Sequence, residues 1–293
     1  MKPNHIIWSG CSFTFGSGFI NEEDQHIRDE NQKPVFMHPL LEAEYGWKTV
    51  KEAKEGVKQI AYPHKVAKEL GISSYNLAIQ GFGIDSHIQK VTAFILENKY
   101  NIDFEGGDAI VMFQVADFSR MEFWFNKFNN KVGLSGAGAP EDHPSFLNEF
   151  LVHSYNDVYQ TYKYILDLIR FKGFCKSRGI NFHPYSFDGD YLRQVDERIE
   201  DDDYWRNLIP KVWEYWEHEK TVLPRMKDLI KELNPLPINP YKYAWDDEGS
   251  VRHCTFMGEY KGYNDGHFTE KGHELLSKGI LEFLTQEYNY GKH

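Results

Sequence analysis

A serine, a histidine and an aspartate occur in this chain in settings that suit nucleophilic catalysis. An apolar run, His5-Ile6-Ile7-Trp8, empties into Ser9-Gly10-Cys11-Ser12-Phe13-Thr14, and near the far end lies Asn264-Asp265-Gly266-His267-Phe268-Thr269-Glu270-Lys271-Gly272-His273. A short buried strand followed at once by glycine and small residues presents a hydroxyl at the carboxyl end of a parallel sheet, where ligands bind in such folds. Serine at its free pKa is a weak nucleophile. It needs an imidazole to take its proton and a third group to hold that ring in the productive tautomer. Ser12, His267 and Asp265 have the chemistry for those three roles. A tetrahedral oxyanion further needs preorganised N–H donors aimed at one point. The backbone N–H groups of Ser12 and Gly81 are the expected donors: glycine at 81 allows close backbone approach, and Asn76 would brace the turn through side-chain hydrogen bonds.

Other chemistries fit less well. Asp265, His267 and His273 are metal-ligand types, but the two histidines are six apart rather than four and do not share a helix face, so no metal site is expected. Cys11, Cys175 and Cys254 are far apart and odd in number, without a Cys-x-x-Cys pair, which suggests three reduced thiols rather than disulfides or a zinc ribbon. With 33 Lys and Arg against 44 Asp and Glu, the net charge of -11 argues against broad binding of nucleic acid or anionic membranes. No run reaches the roughly 20 apolar residues that span a bilayer. Met1-Lys2-Pro3-Asn4 leads straight into the first predicted strand, so a cytoplasmic or virion-associated protein is expected. The sequence leaves the oligomeric state open. Aromatic residues make up 16% of the chain, with 7 Trp and 18 Tyr. Such rings either stack on sugar faces or pack within the core and its rim.

The elements that must position these residues follow from periodicity. Residues 4–9 read as a buried strand and residues 20–58 as a polar surface excursion. Tyr62 to Gly71 reads as an amphipathic helix with Pro63 in its first turn and glycine at its end. Ser74 to Ile79 reads as a second strand, and Gln80-Gly81-Phe82-Gly83 as a tight exit. From Ser86 to Tyr100 a helix places Ile88, Val91, Ile95 and Leu96 on one face, capped by Asp85 or Ser86. Asp108 to Val115 is apolar enough for a central parallel strand, and Gly133 to Pro140 reads as a loop. Tyr155 to Cys175 reads as a long helix with apolar positions 158, 162, 165, 166 and 169, and Arg178 to Tyr185 as a fourth strand. A short strand near His253 to Met257 and a helix from Thr269 to about Thr285, with Leu275, Leu276, Ile280 and Leu284 inward, complete the pattern. Strands alternating with helices at this spacing imply right-handed crossovers and a parallel sheet of about five strands, an α/β fold. A single domain over residues 1–293 is expected. Within it, residues 188–250 form a charged insertion with Trp205, Trp213, Trp216 and Trp245, helical over 203–233, serving as a lid, substrate platform or structural cap.

The blocks Gly10-Cys11-Ser12-Phe13-Thr14, Asn76-Leu77-Ala78-Ile79-Gln80-Gly81 and Asp265-Gly266-His267, with Gly272-His273 following, resemble the SGNH/GDSL superfamily of esterases and stand in that family's order. The resemblance implies a three-layer, flavodoxin-like α/β/α fold and a cofactor-free attack on acyl esters, often acetyl groups on carbohydrate. It assigns Ser12 as nucleophile, Gly81 as second-block oxyanion donor and His267 as base. Two departures stand out. The family's last block is Asp-x-x-His, whereas the acid here, Asp265, lies two before His267. The third-block asparagine of Gly-x-Asn-Asp is absent; Gln114 to Glu122 runs in its place, and Gln114 or Arg120 is the substitute polar donor, unless the hole has only two backbone donors. A hydrolase or acyltransferase acting on a small-molecule or carbohydrate ester is one reading. A non-catalytic carbohydrate-binding or structural module on the same scaffold is the other.

Overall fold

The computed structural model describes residues 2–10, 14, 56, 59, 61–79, 82–115, 121–125, 130–134, 157–185, 228–236 and 270–290. Its centre is a sheet of four parallel strands: β1 (His5–Ser9), β2 (Ser73–Asn76), β3 (Ala109–Gln114) and, later in the chain, the strand Asn181–Tyr185, in the order β2, β1, β3, Asn181–Tyr185. Met121–Phe125 (β4) and Asn130–Leu134 (β5) form a separate antiparallel pair, so Asn181–Tyr185 is β6. Gly133 and Leu134, expected to open a loop, instead close β5 against Glu122 and Met121. The stretch expected to give a further strand, 253–257, lies outside the described residues.

β1 and β3 are interior strands, and every residue of β3 is buried. A strand covered on both faces must be apolar throughout, which is why neither alternates in polarity. Alternate side chains still go to opposite faces. Ile7, Val111 and Phe113 join a cluster with Ile84, Val91 and Ile95 of α2 (Ile84–Glu97) and Tyr164, Ile165, Leu168, Phe171 and Cys175 of α3 (Asp157–Ser177). Ile6, Trp8, Ile110, Met112 and Tyr185 join Tyr62 and Val66 of α1 (Tyr62–Leu70) and Leu276, Ile280 and Leu284 of α4 (Glu270–Tyr288) on the other face. Helices therefore cover both faces of the parallel sheet, an α/β architecture.

The local signals are physical ones. α1 has Pro63 in its first turn and ends on Gly71 at φ 66°, a left-handed conformation open to glycine. Three expectations shift. α2 starts at Ile84 on Gly83, ahead of Asp85 and Ser86, neither of which caps it. Leu96 is 57% exposed, because the buried stripe is Ile84, Val91, Ile95 and Leu96 sits a further 100° around the helix. In α3 the buried face runs through 164, 165, 168, 171 and 175, with Phe171 packed on Phe113 and Phe182 of the sheet at 5.9 and 5.2 Å; of the expected positions Ile165 is buried, Tyr162, Leu166 and Ile169 are half-buried beside it, and the side chain at 158 lies outside the described ones. Of the insertion, residues 228–236 are described: Leu233 is buried in the α2/α3 cluster, Lys172 Nζ donates to the carbonyls of Glu232 and Leu233 at 2.5 and 3.1 Å, and Leu236 N–H bonds Pro184 O at 2.8 Å. The insertion thus returns to the sheet beside β6. No described helix is long and apolar enough to cross a membrane.

Candidate active site

In the order β2, β1, β3, β6, the chain leaves β1 to one side for β2 and crosses back to the other for β3. The crevice outside the carboxyl ends of β1 and β3 is therefore the topological switch point, the place where open α/β sheets bind ligands. Gly10 and Thr14 lie there, one on each side of Ser12.

Three strand exits are tied together at this edge. Leu77 N–H donates to Trp8 O at 2.8 Å and Ile79 N–H to Gly10 O at 2.9 Å, so the chain past β2 runs alongside the end of β1. Asn76 ends β2 with its own side chain: Oδ1 accepts the Ala78 N–H at 3.1 Å, an Asx-type turn, and Nδ2 donates to Thr14 O at 2.9 Å. That second bond joins the second block to the first. His87, buried in the first turn of α2, reaches back with Nε2 to Ile79 O at 3.3 Å and packs edge-on to Phe113. Since a carbonyl only accepts, the proton sits on Nε2. α2 itself begins at this edge, so the positive end of its dipole is on this side of the sheet.

On the other side of β1, Thr14 Oγ1 donates to Gln114 Oε1 at 3.1 Å and lies 2.7 Å from Tyr62 Oη, which is 2.5 Å from Tyr185 Oη. All four residues are buried. Gln114 Nε2 donates to Val115 O at 3.2 Å, and Val115 N–H to Tyr185 O at 2.7 Å. Through these bonds Gln114 joins the end of β3 to Thr14. Gly10 is confined between them. Its φ is 155°, and a Cβ there would lie 2.5 Å from Gln114 Oε1, 2.7 Å from Gln114 Cβ and closer still to Thr14 Oγ1.

His273, in the first turn of α4, is 1% exposed. Its Nδ1 accepts the Tyr62 N–H at 3.3 Å, and its ring stacks on Tyr62 at 5.8 Å and 18°. The Tyr62 N–H belongs to the first turn of α1, where no intrahelical acceptor exists and Ala61 offers no side-chain cap. His273 supplies that cap, which fixes its proton on Nε2 and anchors the start of α4 beneath the site.

Of the sequence-predicted residues, Asn76 and Gln114 are brought together around Thr14. Ser12, Gly81, Arg120, Asp265 and His267 lie outside the described residues. Sequence reasoning missed Thr14, Tyr62, Tyr185 and His87 as parts of the site. A signal existed for Thr14, a polar residue among aromatics in the first block; Tyr62 and Tyr185 read simply as apolar positions of a helix and a strand. No family model, curated protein or solved structure matches this chain.

Proposed function

We propose that the chain is a serine ester hydrolase on an SGNH-type, flavodoxin-like scaffold, acting on small acyl esters, including O-acetyl esters of carbohydrate. The observation that supports this reading is the placement of Gly10 and Thr14, the residues flanking Ser12, at the switch point between β1 and β3, with Thr14 bonded to Asn76 of the second block. In this reading Ser12 Oγ attacks the ester carbonyl as its proton passes to the His267 imidazole, which Asp265 orients. The ester C–O bond breaks, the leaving alkoxide takes that proton, and an acyl-serine forms. Water repeats the sequence in reverse: it gives His267 a proton, attacks the acyl carbon and releases the acid while Ser12 recovers its proton. The Ser12 and Gly81 N–H groups hold the oxyanion. Gln114, whose Nε2 donates one of its two hydrogens to Val115 O, is the side-chain amide proposed beside them.

A fluorophosphonate probe tests the reading directly. Wild type is expected to label covalently and to turn over short acyl esters, while Ser12→Ala does neither. Labelling of wild type no greater than of Ser12→Ala, with no turnover, would overturn it in favour of the non-catalytic carbohydrate-binding or structural module.

A further inference from the structure

At the amino edge of the parallel sheet, opposite the edge at Gly10, three described side chains join in one line. His5 opens β1, Asp108 immediately precedes β3, and Tyr75 stands in β2. His5 Nε2 lies 3.3 Å from Asp108 Oδ2, and His5 Nδ1 lies 3.3 Å from Tyr75 Oη. The Asp108 carboxylate only accepts, so the proton of the neutral imidazole sits on Nε2 and Nδ1 is left to accept from the Tyr75 phenol. Asp108 is itself fixed, its Oδ1 accepting from Asn4 Nδ2 at 2.7 Å and from the Asn4 N–H at 3.2 Å. A hydroxyl on one ring nitrogen, with the other nitrogen held by a carboxylate, is the arrangement that activates a nucleophile. The line reaches solvent, since His5, Asp108 and Tyr75 are all partly exposed. Phe94 and Tyr100 pack 5.0 and 4.7 Å from the Tyr75 ring, and Tyr100 is 59% exposed, so the phenol has an apolar approach.

We infer that Tyr75 is a nucleophilic acylation site, with His5 as its base and Asp108 orienting that base, and that it takes the acyl group of an activated acyl donor. As Tyr75 Oη bonds to the acyl carbon, its proton passes to His5 Nδ1, and Asp108 meets the charge of the imidazolium. The bond from that carbon to the leaving group then breaks, the leaving group takes the proton from His5, and an O-acyl tyrosine remains. Burial raises the Tyr75 pKa, and a hydrogen bond with the Ser73 side chain lowers it only in part. The free phenolate is therefore scarce, and the reaction depends on the base. A line that merely braced β2 to β1 and β3 would leave Tyr75 no more reactive than another tyrosine. The site uses no residue of the esterase reading and stands apart from it.

N-acetylimidazole tests this on the full chain, with acetylated tyrosines located by peptide mass spectrometry and reversal by hydroxylamine identifying the phenyl ester. Tyr100 is the internal reference, because exposure alone would make it react first. In wild type, Tyr75 is expected to acetylate about tenfold or more faster than Tyr100. In His5→Gln the Tyr75 rate should fall by about tenfold or more while Tyr100 stays within about twofold, and Asp108→Asn should give a smaller loss at Tyr75. Each variant is read below its own melting temperature. Acetylation of wild-type Tyr75 no faster than Tyr100 would overturn the inference, and that comparison needs no variant to fold. So would a Tyr75 rate left unchanged in folded His5→Gln or in folded Asp108→Asn.

Discussion

At Gly10 a single methyl group decides whether the loop after β1 can close, because the space a side chain would need is already filled by Thr14 and Gln114. Gly71 makes the contrast. Its φ of 66° is strained for any L side chain, yet a Cβ there would meet nothing within 4 Å. Gly71→Ala is therefore expected to cost about 1 to 2 kcal/mol, the backbone penalty alone. Gly10→Ala adds a collision with Gln114, and a loss of about 2 to 3 kcal/mol is expected from overpacking, along with activity. Urea denaturation of the two variants side by side checks the order; equal midpoints would show that the loop moves aside for the methyl group. The same crowding explains why sequence spacing could not reveal the site's inner wall. Thr14 meets Gln114 from 100 positions away and Tyr62 meets Tyr185 from 123, and neither phenol differs in sequence from one that merely packs.

Among the elements, α4 is held to β6 at its far end as well as to α1 at its start. His183 Nε2 lies 2.5 Å from Tyr288 Oη, and the His183 ring packs edge-on to Phe283. Burial keeps the Tyr288 phenol protonated and holds His183 neutral, so the bond joins two uncharged groups, its direction set by the His183 tautomer. Tyr288→Phe leaves the His183 ring nitrogen without that partner, and a loss of about 1 to 3 kcal/mol is expected in thermal or urea melts. A variant as stable as wild type would show that the pair is incidental. Such pairs are invisible to periodicity, but the elements that carry them were largely readable. β1 and β3 are readable because burial on both faces demands continuous apolar runs, and α1 because Pro63 and Gly71 punctuate it. The phase of α3 was not, since Tyr162, Leu166 and Ile169 are apolar on the flank of the true face. Only packing against Phe113 and Phe182 chooses between them. β2 ends at Asn76, short of the expected Ile79, where the Asn76 side chain takes the Ala78 N–H, although Leu77 and Ile79 still bond the end of β1.

For the whole molecule, the same histidine sets a pH dependence. Burial, reinforced by the positive charge of Lys172, pushes the His183 pKa down from 6.5 to about 4. Between those values the unfolded chain binds a proton that the folded one refuses, so stability is full above about pH 6.5 and falls as the pH drops toward 4. The slope from this one group approaches ~1.4 kcal/mol per pH unit. Urea midpoints from pH 8 to 4 should therefore decline more steeply in wild type than in His183→Gln, and parallel curves would assign the acid sensitivity elsewhere.

The strand order carries a consequence for synthesis. β1, which precedes the other described strands in the chain, belongs in the middle of the sheet, where Tyr75 from β2 bonds His5 across 70 positions and Asn4 bonds Asp108 across 104. At about 5 to 20 residues per second, Ile6, Ile7 and Trp8 wait roughly 5 to 20 s before β3 exists to cover them. During synthesis the inner strand of this sheet therefore stands without its β3 neighbour while the residues between them are made.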